Sequence, residues 1–328
     1  MKIMVTGGAG FIGSHFAKRL VTAGDDVVVL DKLTYAGNPR NLEGYDIPLV
    51  VGDIADPDAV AKAAAGCDAI VNFAAESHVD RSILSASDFI TTDVYGTHVL
   101  LEHARAHDLR YVQVSTDEVY GDLEPGFSAV ETDPLVPSSP YSASKAGGDL
   151  QVLAYVRTYG INASISRGAN TYGPFQYPEK LVSLFTTNAL DGLALPVYGD
   201  GKQRREWIHA EDHCAGIELV LRQGEPGGIY NVGGEERENL DVIERILALT
   251  GASRDLLKHV ADRPGHDRRY SIDCAKLEAM GWKRSWDFAE GLQQTVEWYA
   301  ERRDWWEPIK SGEYLAYYRE QYAQRLDG

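Results

Sequence analysis

The 328-residue chain is poor in cysteine, poor in positive charge and free of long apolar runs. Its three cysteines, Cys67, Cys214 and Cys274, are odd in number, far apart and in no C-x-x-C pair. That pattern excludes a disulfide framework and a thiolate metal site, and fits a reducing compartment. No uncharged apolar stretch approaches the roughly 18 residues of a membrane span, and the apolar start Met1 to Thr6 gives way to glycines after one strand's length. A cytoplasmic protein with no membrane contact is expected. Thirty-two Lys and Arg face 49 Asp and Glu, a formal charge of −17, so nonspecific binding to nucleic acid or an anionic membrane is disfavoured. An anionic small ligand is still admitted if a few cations gather locally. With 44% hydrophobic and 25% charged residues and no repeat, the chain is neither disordered nor fibrous, and its length suits about two domains or one large α/β unit.

The first half alternates short β-branched runs with longer helical patterns, the signature of βαβ units and a parallel sheet. Strands are predicted over Lys2–Thr6, Asp26–Leu30, Pro48–Val51, Ala69–Phe73, Arg110–Ser115 and Asn162–Ser166, with helices over Phe11–Ala23, Asp58–Ala65, Ser87–His107 and Tyr141–Tyr159. After about Arg167 the elements shorten: a helix near Pro178–Leu190, a strand near Pro196 and a helix near Glu211–Arg222. Phe288, Leu292, Val296 and Tyr299 then keep helical spacing, before an aromatic run of Trp305, Trp306, Tyr314, Tyr317 and Tyr318 read as core packing.

Gly7-Gly8-Ala9-Gly10-Phe11-Ile12-Gly13 follows the first strand and opens the first helix. Such glycines permit a tight turn and close backbone approach to a pyrophosphate held at a helix N-terminus, which makes this a dinucleotide site. Asp31 ends the second strand, where a carboxylate accepts a ribose hydroxyl. NAD is thereby favoured over NADP, since only Lys32 follows and no arginine. Asp53-Ile54 and Ala74 through Ser77 lie at further carboxyl strand ends and are expected to line the same site. The fold class is a Rossmann-like doubly wound parallel α/β sheet with a smaller α/β C-terminal substrate-binding lobe. The division is placed at 1–167 for the NAD-binding domain and 168–328 for the substrate-binding lobe, with interleaving allowed.

Tyr141 and Lys145 stand four apart at a helix start and share a face. The ammonium is expected to lower the tyrosine's pKa and make it a general base. Alone, Y-x-x-x-K could arise by chance or as a surface pair; here Ser115-Thr116 ends the preceding strand, where Thr116 can hold a substrate oxygen. This is the arrangement of the extended short-chain dehydrogenases/reductases. Thr116-Asp117-Glu118 adds two adjacent carboxyls, which either pair as acid and base or cap a helix and face water.

Over essentially its whole length the chain resembles the dTDP-glucose 4,6-dehydratase family, through Asp31 to Asn38 (DKLTYAGN), Ala74 to Ser82 (AAESHVDRS), Ser115 to Gly121 (STDEVYG), Ser139 to Lys145 (SPYSASK), Asn170 to Leu181 (NTYGPFQYPEKL), Arg205 to Trp207 and Ala261 to Tyr270 (ADRPGHDRRY). The resemblance implies tightly held NAD, with cofactor contacts extending to Leu33, Thr34, Thr92 and Thr171. It makes Tyr141, with Lys145 and Thr116, the acceptor of the 4-hydroxyl proton, Glu118 the base at C5 and Asp117 the acid at the 6-hydroxyl. For the nucleotide sugar it points to Ser77, His78, Asn170, Lys180, Leu181, Pro196, Tyr198, Arg205, Asn239, Asp262, Arg263 and His266. Lys180 and Arg205 would also serve physically as local cations for a diphosphate. It further implies a homodimer in which helices 87–107 and 141–159 pair, and no metal. His209, Asp212, His213 and Cys214 are not read as ligands, because a strand end and a helix interior separate the two histidines.

The chain departs from the family in carrying Asp93 where asparagine is usual, and in lacking an insertion of longer members between Glu118 and Tyr141. It thus resembles the shorter forms associated with natural-product deoxysugars. A nucleotide-sugar 4-epimerase or decarboxylase of the same superfamily is the alternative reading, sharing all but a use for Asp117 and Glu118. A noncatalytic NAD-sensing protein is the third.

Overall fold

The structure, a computed structural model, describes residues 1–311 and 314; Tyr317 and Tyr318 of the predicted aromatic run lie outside the described residues. Six strands of the first half, β1 (Lys2–Thr6), β2 (Asp26–Asp31), β3 (Leu49–Val51), β4 (Ala69–Asn72), β5 (Arg110–Thr116) and β6 (Ala163–Gly168), match the predicted runs to within a residue or two. They are followed by β7 (Asn170–Tyr172), β8 (Leu195–Tyr198), β9 (Arg204–His209), β10 (Ile229–Val232), β11 (Glu235–Glu238) and β12 (Leu257–Val260). A seven-stranded sheet runs β10-β6-β5-β4-β1-β2-β3, parallel throughout. The doubly wound order is as expected from the sequence. Chain progression reverses between β1 and β4, and it is outside the carboxyl ends at such a point that ligands bind.

The helices are α1 (Phe11–Thr22), α2 (Pro57–Ala63), α3 (Val79–Leu84), α4 (Ser87–Phe89), α5 (Thr97–His107), α6 (Pro140–Tyr159), α7 (Leu181–Leu190), α8 (Ala210–Gln223), α9 (Asn239–Thr250), α10 (Ala275–Ala279), α11 (Phe288–Glu301) and α12 (Arg303–Trp306). Between α4 and α5 a π-helical turn, Ile90–Gly96, continues the rod. The helix predicted over Ser87–His107 is therefore interrupted by wider turns, which put Thr92 on a cavity wall and bury Asp93.

Two apolar layers cover the sheet. One packs Phe16, Ala17 and Leu20 of α1 with Ile217, Val220 and Leu221 of α8 against Val5, Val29 and Val71; the other packs Val60 of α2, Val99 and Leu100 of α5 and Val152 of α6 against Met4, Ile70 and Ile165. Burial on both faces explains why the strands read as unbroken apolar runs. A third cluster unites α7, α9 and α11 with β8, and its members include Phe288, Leu292 and Val296 of the predicted tail helix. Apart from the main sheet, β11-β9-β7 and β12-β8 form two small sheets.

A polar network fixes α6, the helix that carries Tyr141 and Lys145. Its start is a reciprocal capping box between Ser139 and Ser142 with Pro140 in the first turn. Buried Asp149 pairs with Arg167 of β6 at 2.9 Å, Arg167 donates to the Tyr120 hydroxyl at 2.8 Å, and that hydroxyl donates to Asn231 of β10 at 2.8 Å. Removing either Asp149 or Arg167 would leave the other's buried charge unpaired, at a cost of about 3–5 kcal/mol.

Candidate active site

Two adjoining cavities open at the carboxyl ends of the sheet. The first, about 330 Å³, runs from the glycine loop to α6; the second, about 150 Å³, lies among β8, α9 and the 262–266 loop. Glu118, Asn170, Glu179, Lys180, Leu181 and Trp207 belong to the walls of both, so the two are read as a single cleft.

At the glycine end Gly7 has φ +65°, and a Cβ there would sit 2.7 Å from the Ala74 amide nitrogen, so only glycine fits between β1 and β4. Helix α1 begins with no side-chain cap and no acid in its first turn. Its leading amides therefore present an open anion site to the cavity, which fits a dinucleotide pyrophosphate. Asp31 accepts the amides of Ala9 at 2.9 Å and Leu33 at 2.8 Å, and burial pushes its carboxyl up. Lys32 is tied to Asp53 at 2.7 Å. Along this wall the structure brings together Gly7, Gly10, Phe11, Ile12, Gly13, Asp31, Lys32, Thr34, Asp53, Ile54, Ala74, Ala75, Ser77, Thr92, Tyr141, Lys145 and Thr171. Leu33 is not placed there: with φ +54° it turns its amide to Asp31 and packs its side chain on the apolar layer beside α1.

At the α6 end, β5 runs into a 3₁₀ turn, Asp117–Tyr120, that sets three functional side chains side by side. Thr116 Oγ1 donates to Asp117 Oδ1 at 3.2 Å and accepts the Glu118 amide at 3.3 Å. Asp117 is 2% exposed and its Oδ2 has no hydrogen-bond partner. Burial first, then the Glu118 and Glu206 carboxylates, push it well above the usual carboxylate range, which favours its protonated form. Lys145 Nζ donates to the Val114 carbonyl at 2.8 Å.

Tyr141 departs from expectation. Burial and the carboxylates of Glu118 and Asp93 push its phenol well above the usual range, against which a hydrogen bond with Thr116 works. The predicted net lowering is not found, because burial of the ring and the neighbouring carboxylates prevail.

In the second cavity the walls include His78, Asn170, Lys180, Leu181, Pro196, Tyr198, Arg205, Asn239, Arg263 and His266. Asp262 stands behind them, bonded to Gln203 and His266. Arg205 is buried with its guanidinium on the backbone carbonyls of Arg204, Asp267 and Arg268 and over the Tyr270 ring. No carboxylate pairs with it among the described residues, leaving uncompensated positive charge suited to an anion. Lys180 instead donates to the Ser77 carbonyl, and burial lowers its pKa.

Of two further wall residues, Glu76 was expected from the Ala74 through Ser77 run, whereas His213 escaped the sequence reading. Glu76, pushed up to about 6 by burial and then by Asp93, faces the first cavity. His213 lies on the same wall, its Nδ1 2.7 Å from Thr171 Oγ1, neutral because burial lowers it to about 4. His209 caps α8 against Trp286. Among the described residues no group of three or more potential ligands could hold a metal, and no helix is long and apolar enough to cross a membrane.

Residues 4–295 match the family described as GDP-mannose 4,6 dehydratase. A dTDP-glucose 4,6-dehydratase of Streptomyces niveus is 51% identical over 95% of this chain and 96% of its own length. The crystal structure of DesIV, a dTDP-glucose 4,6-dehydratase from Streptomyces venezuelae solved with NAD bound, superposes with a TM-score of 0.92 at 52% identity, covering 94% of this chain and all of that one. A Thermus thermophilus UDP-glucose 4-epimerase in complex with NAD superposes with a TM-score of 0.88 at 32% identity, covering 92% of this chain and all of that one. The shared fold thus hosts both chemistries, and the distinction rests on side chains.

Proposed function

The chain belongs to the GDP-mannose 4,6 dehydratase family, and on that footing we propose that it converts dTDP-glucose to dTDP-4-keto-6-deoxyglucose and water using bound NAD. The observation that carries the reading is the buried Asp117, its Oδ2 without a partner, beside Glu118 on the wall that also holds Tyr141 and Lys145. An epimerase has no use for that pair of carboxyls. Bound NAD would supply a hydride acceptor at C4 and a hydride donor at C6.

Tyr141 accepts the proton of the 4-hydroxyl, with Thr116 holding that oxygen and Lys145 stabilising the charge. The resulting 4-ketone acidifies C5. Glu118 takes the C5 proton while Asp117 gives its own to the 6-hydroxyl, which departs as water. Glu118 then returns its proton to C5 as C6 receives hydride, and the proton held by Tyr141 makes good the one lost from Asp117. A hydroxide leaving group needs an acid and a carbon acid needs a base, and each such group contributes about 10²–10⁴-fold. The diphosphate is assigned to Arg205, with Arg263 and Lys180 alongside, and the nucleoside to the cavity bounded by Pro196, Tyr198 and Asn239.

Residues 1–167 are proposed as the NAD-binding domain and 168–328 as the nucleotide-sugar lobe, with β10 returning to the main sheet. A homodimer is proposed through the 87–107 and 141–159 helices, where Ile90, Tyr95, Leu150 and Tyr159 are exposed; light scattering giving a monomer mass would refute it. The cytoplasm is the proposed location, supported by three unpaired thiols. The test of function is mass spectrometry of dTDP-glucose incubated with purified protein without added NAD. Loss of one water with turnover supports dehydration, whereas an isomer of unchanged mass selects the epimerase and loss of carbon dioxide the decarboxylase.

A further inference from the structure

Gln203 lies between Gly201, where the chain turns with φ +71°, and Arg205, and is 2% exposed. Its backbone carbonyl accepts the Asn239 amide at 2.9 Å, which locks it into the wall of the second cavity beside Asn239. Its side-chain nitrogen donates to Asp262 Oδ2 at 3.0 Å. Asp262 is held below the usual carboxylate range by contacts that include His266, although burial opposes this. A carboxylate only accepts hydrogen bonds, so the amide's orientation is determined: nitrogen to Asp262, oxygen away from it. His266 does not compete, since burial lowers it to about 4 and its ring nitrogen already meets Asp262 at 2.6 Å. Gln203 Oε1 is thereby left buried with no partner, on a cavity wall that also carries Pro196, Val197, Phe185 and Ile243.

A desolvated carbonyl oxygen without a partner calls for a donor from the ligand. We propose that Gln203 is the base-reading residue: its Oε1 accepts the ring N–H of a 2,4-dioxopyrimidine and rejects cytosine, whose ring nitrogen there carries a lone pair. The proposal rests on the nucleotide occupying this cavity. Thymine and uracil carry the same ring N–H and satisfy Gln203 equally, so the residue selects the dione class and is blind to the 5-methyl group. Asp262 acts as the positioning residue that keeps the amide from turning round.

The test is calorimetric titration of the NAD-loaded protein with dTDP and dCDP. Wild type should prefer dTDP by about 100-fold or more, because a buried acceptor left unpaired is costly. Gln203→Met, of similar shape, should weaken dTDP by about 10- to 100-fold and leave dCDP within about threefold, collapsing the ratio. Asp262→Asn, which lets the amide turn, should lower the ratio in the same direction, and adding it to Gln203→Met should lower it no further. It also serves alone if Gln203→Met does not fold. Equal weakening of both nucleotides, or an unchanged ratio in either variant, overturns base reading. If wild type binds neither nucleotide, the assignment of the cavity fails with it; if wild type turns over dTDP-glucose and the variants keep the ratio, this inference alone fails.

Discussion

The carboxylate of Asp80 meets the guanidinium of Arg263 at 3.0 Å across the rim of the second cavity, and its other oxygen accepts the Tyr198 hydroxyl at 2.8 Å. One acid on α3 therefore gathers two side chains from β8 and the 262–266 loop. His78 and Arg263 draw the Asp80 carboxyl below its usual range despite burial, so it stays charged. Asp80→Asn should raise KM for dTDP-glucose by about tenfold and change kcat less than about twofold, as expected when binding is lost uniformly from ground and transition states. Asp80→Glu should restore part of the loss. Steady-state kinetics check this, and a fall in kcat at unchanged KM would contradict the positioning role.

Asp117→Asn should lower kcat by about 10²- to 10³-fold, since an amide cannot protonate the departing hydroxyl. The same change should stabilise the protein at neutral pH. A carboxyl whose folded pKa is raised binds its proton more tightly in the folded chain, so its contribution to stability falls as pH climbs from 3.8 toward the folded value. Asparagine removes that loss. Thermal melts at pH 4 and pH 8 should show the variant gaining on wild type as pH rises; a constant difference would mean that Asp117 is not held protonated.

Much of the site was legible because its chemistry is local in the chain. The glycine loop, Thr116-Asp117-Glu118 and Tyr141 with Lys145 are short motifs at strand ends and a helix start, and one parallel sheet brings those ends together. The helix over Ser87–His107 was legible in extent, but its π turn was not, because one extra residue per turn barely disturbs an apolar pattern. β10 escaped because Ile229-Tyr230-Asn231-Val232 is short and pairs with a strand some sixty residues earlier. Helix α9 left a usable signal in the helical spacing of Val242, Ile243, Ile246 and Leu247. The rise of Tyr141 was hidden for another reason: burial and Asp93 come from the fold, and no spacing in sequence reveals them.

Asp93 gives a second pH test. It is 1% exposed, accepts the Ser144 hydroxyl at 2.6 Å, and has its other oxygen buried without a partner. Burial pushes it up to about 6, with Lys145 and Ser144 pulling the other way. Stability from this group is lost as pH rises between 3.8 and about 6. A rise of that size corresponds to at most about 3 kcal/mol, reduced in Asp93→Asn by the lost attraction to Lys145. Denaturant melts should show Asp93→Asn drawing ahead of wild type across that window and holding the gain above it.

Cofactor choice turns on Asp31 and the Lys32–Asp53 pair, and their burial ranks them. Lys32 is 58% exposed in its pair with Asp53, and an exposed ion pair is worth at most about 1 kcal/mol. Freeing Lys32 by Asp53→Asn should therefore move the NADP-to-NAD affinity ratio by less than about fivefold. Asp31 is buried, with both carboxylate oxygens fixed by the Ala9 and Leu33 amides on the cavity wall, and it cannot swing away from a ribose phosphate. Asp31→Ser should raise the ratio by about 100-fold, although NAD affinity itself falls as the loop loses those two acceptors. Titration of cofactor-stripped protein with each dinucleotide checks the order. If Asp53→Asn moves the ratio more than Asp31→Ser, the lysine and not the buried carboxylate governs the preference.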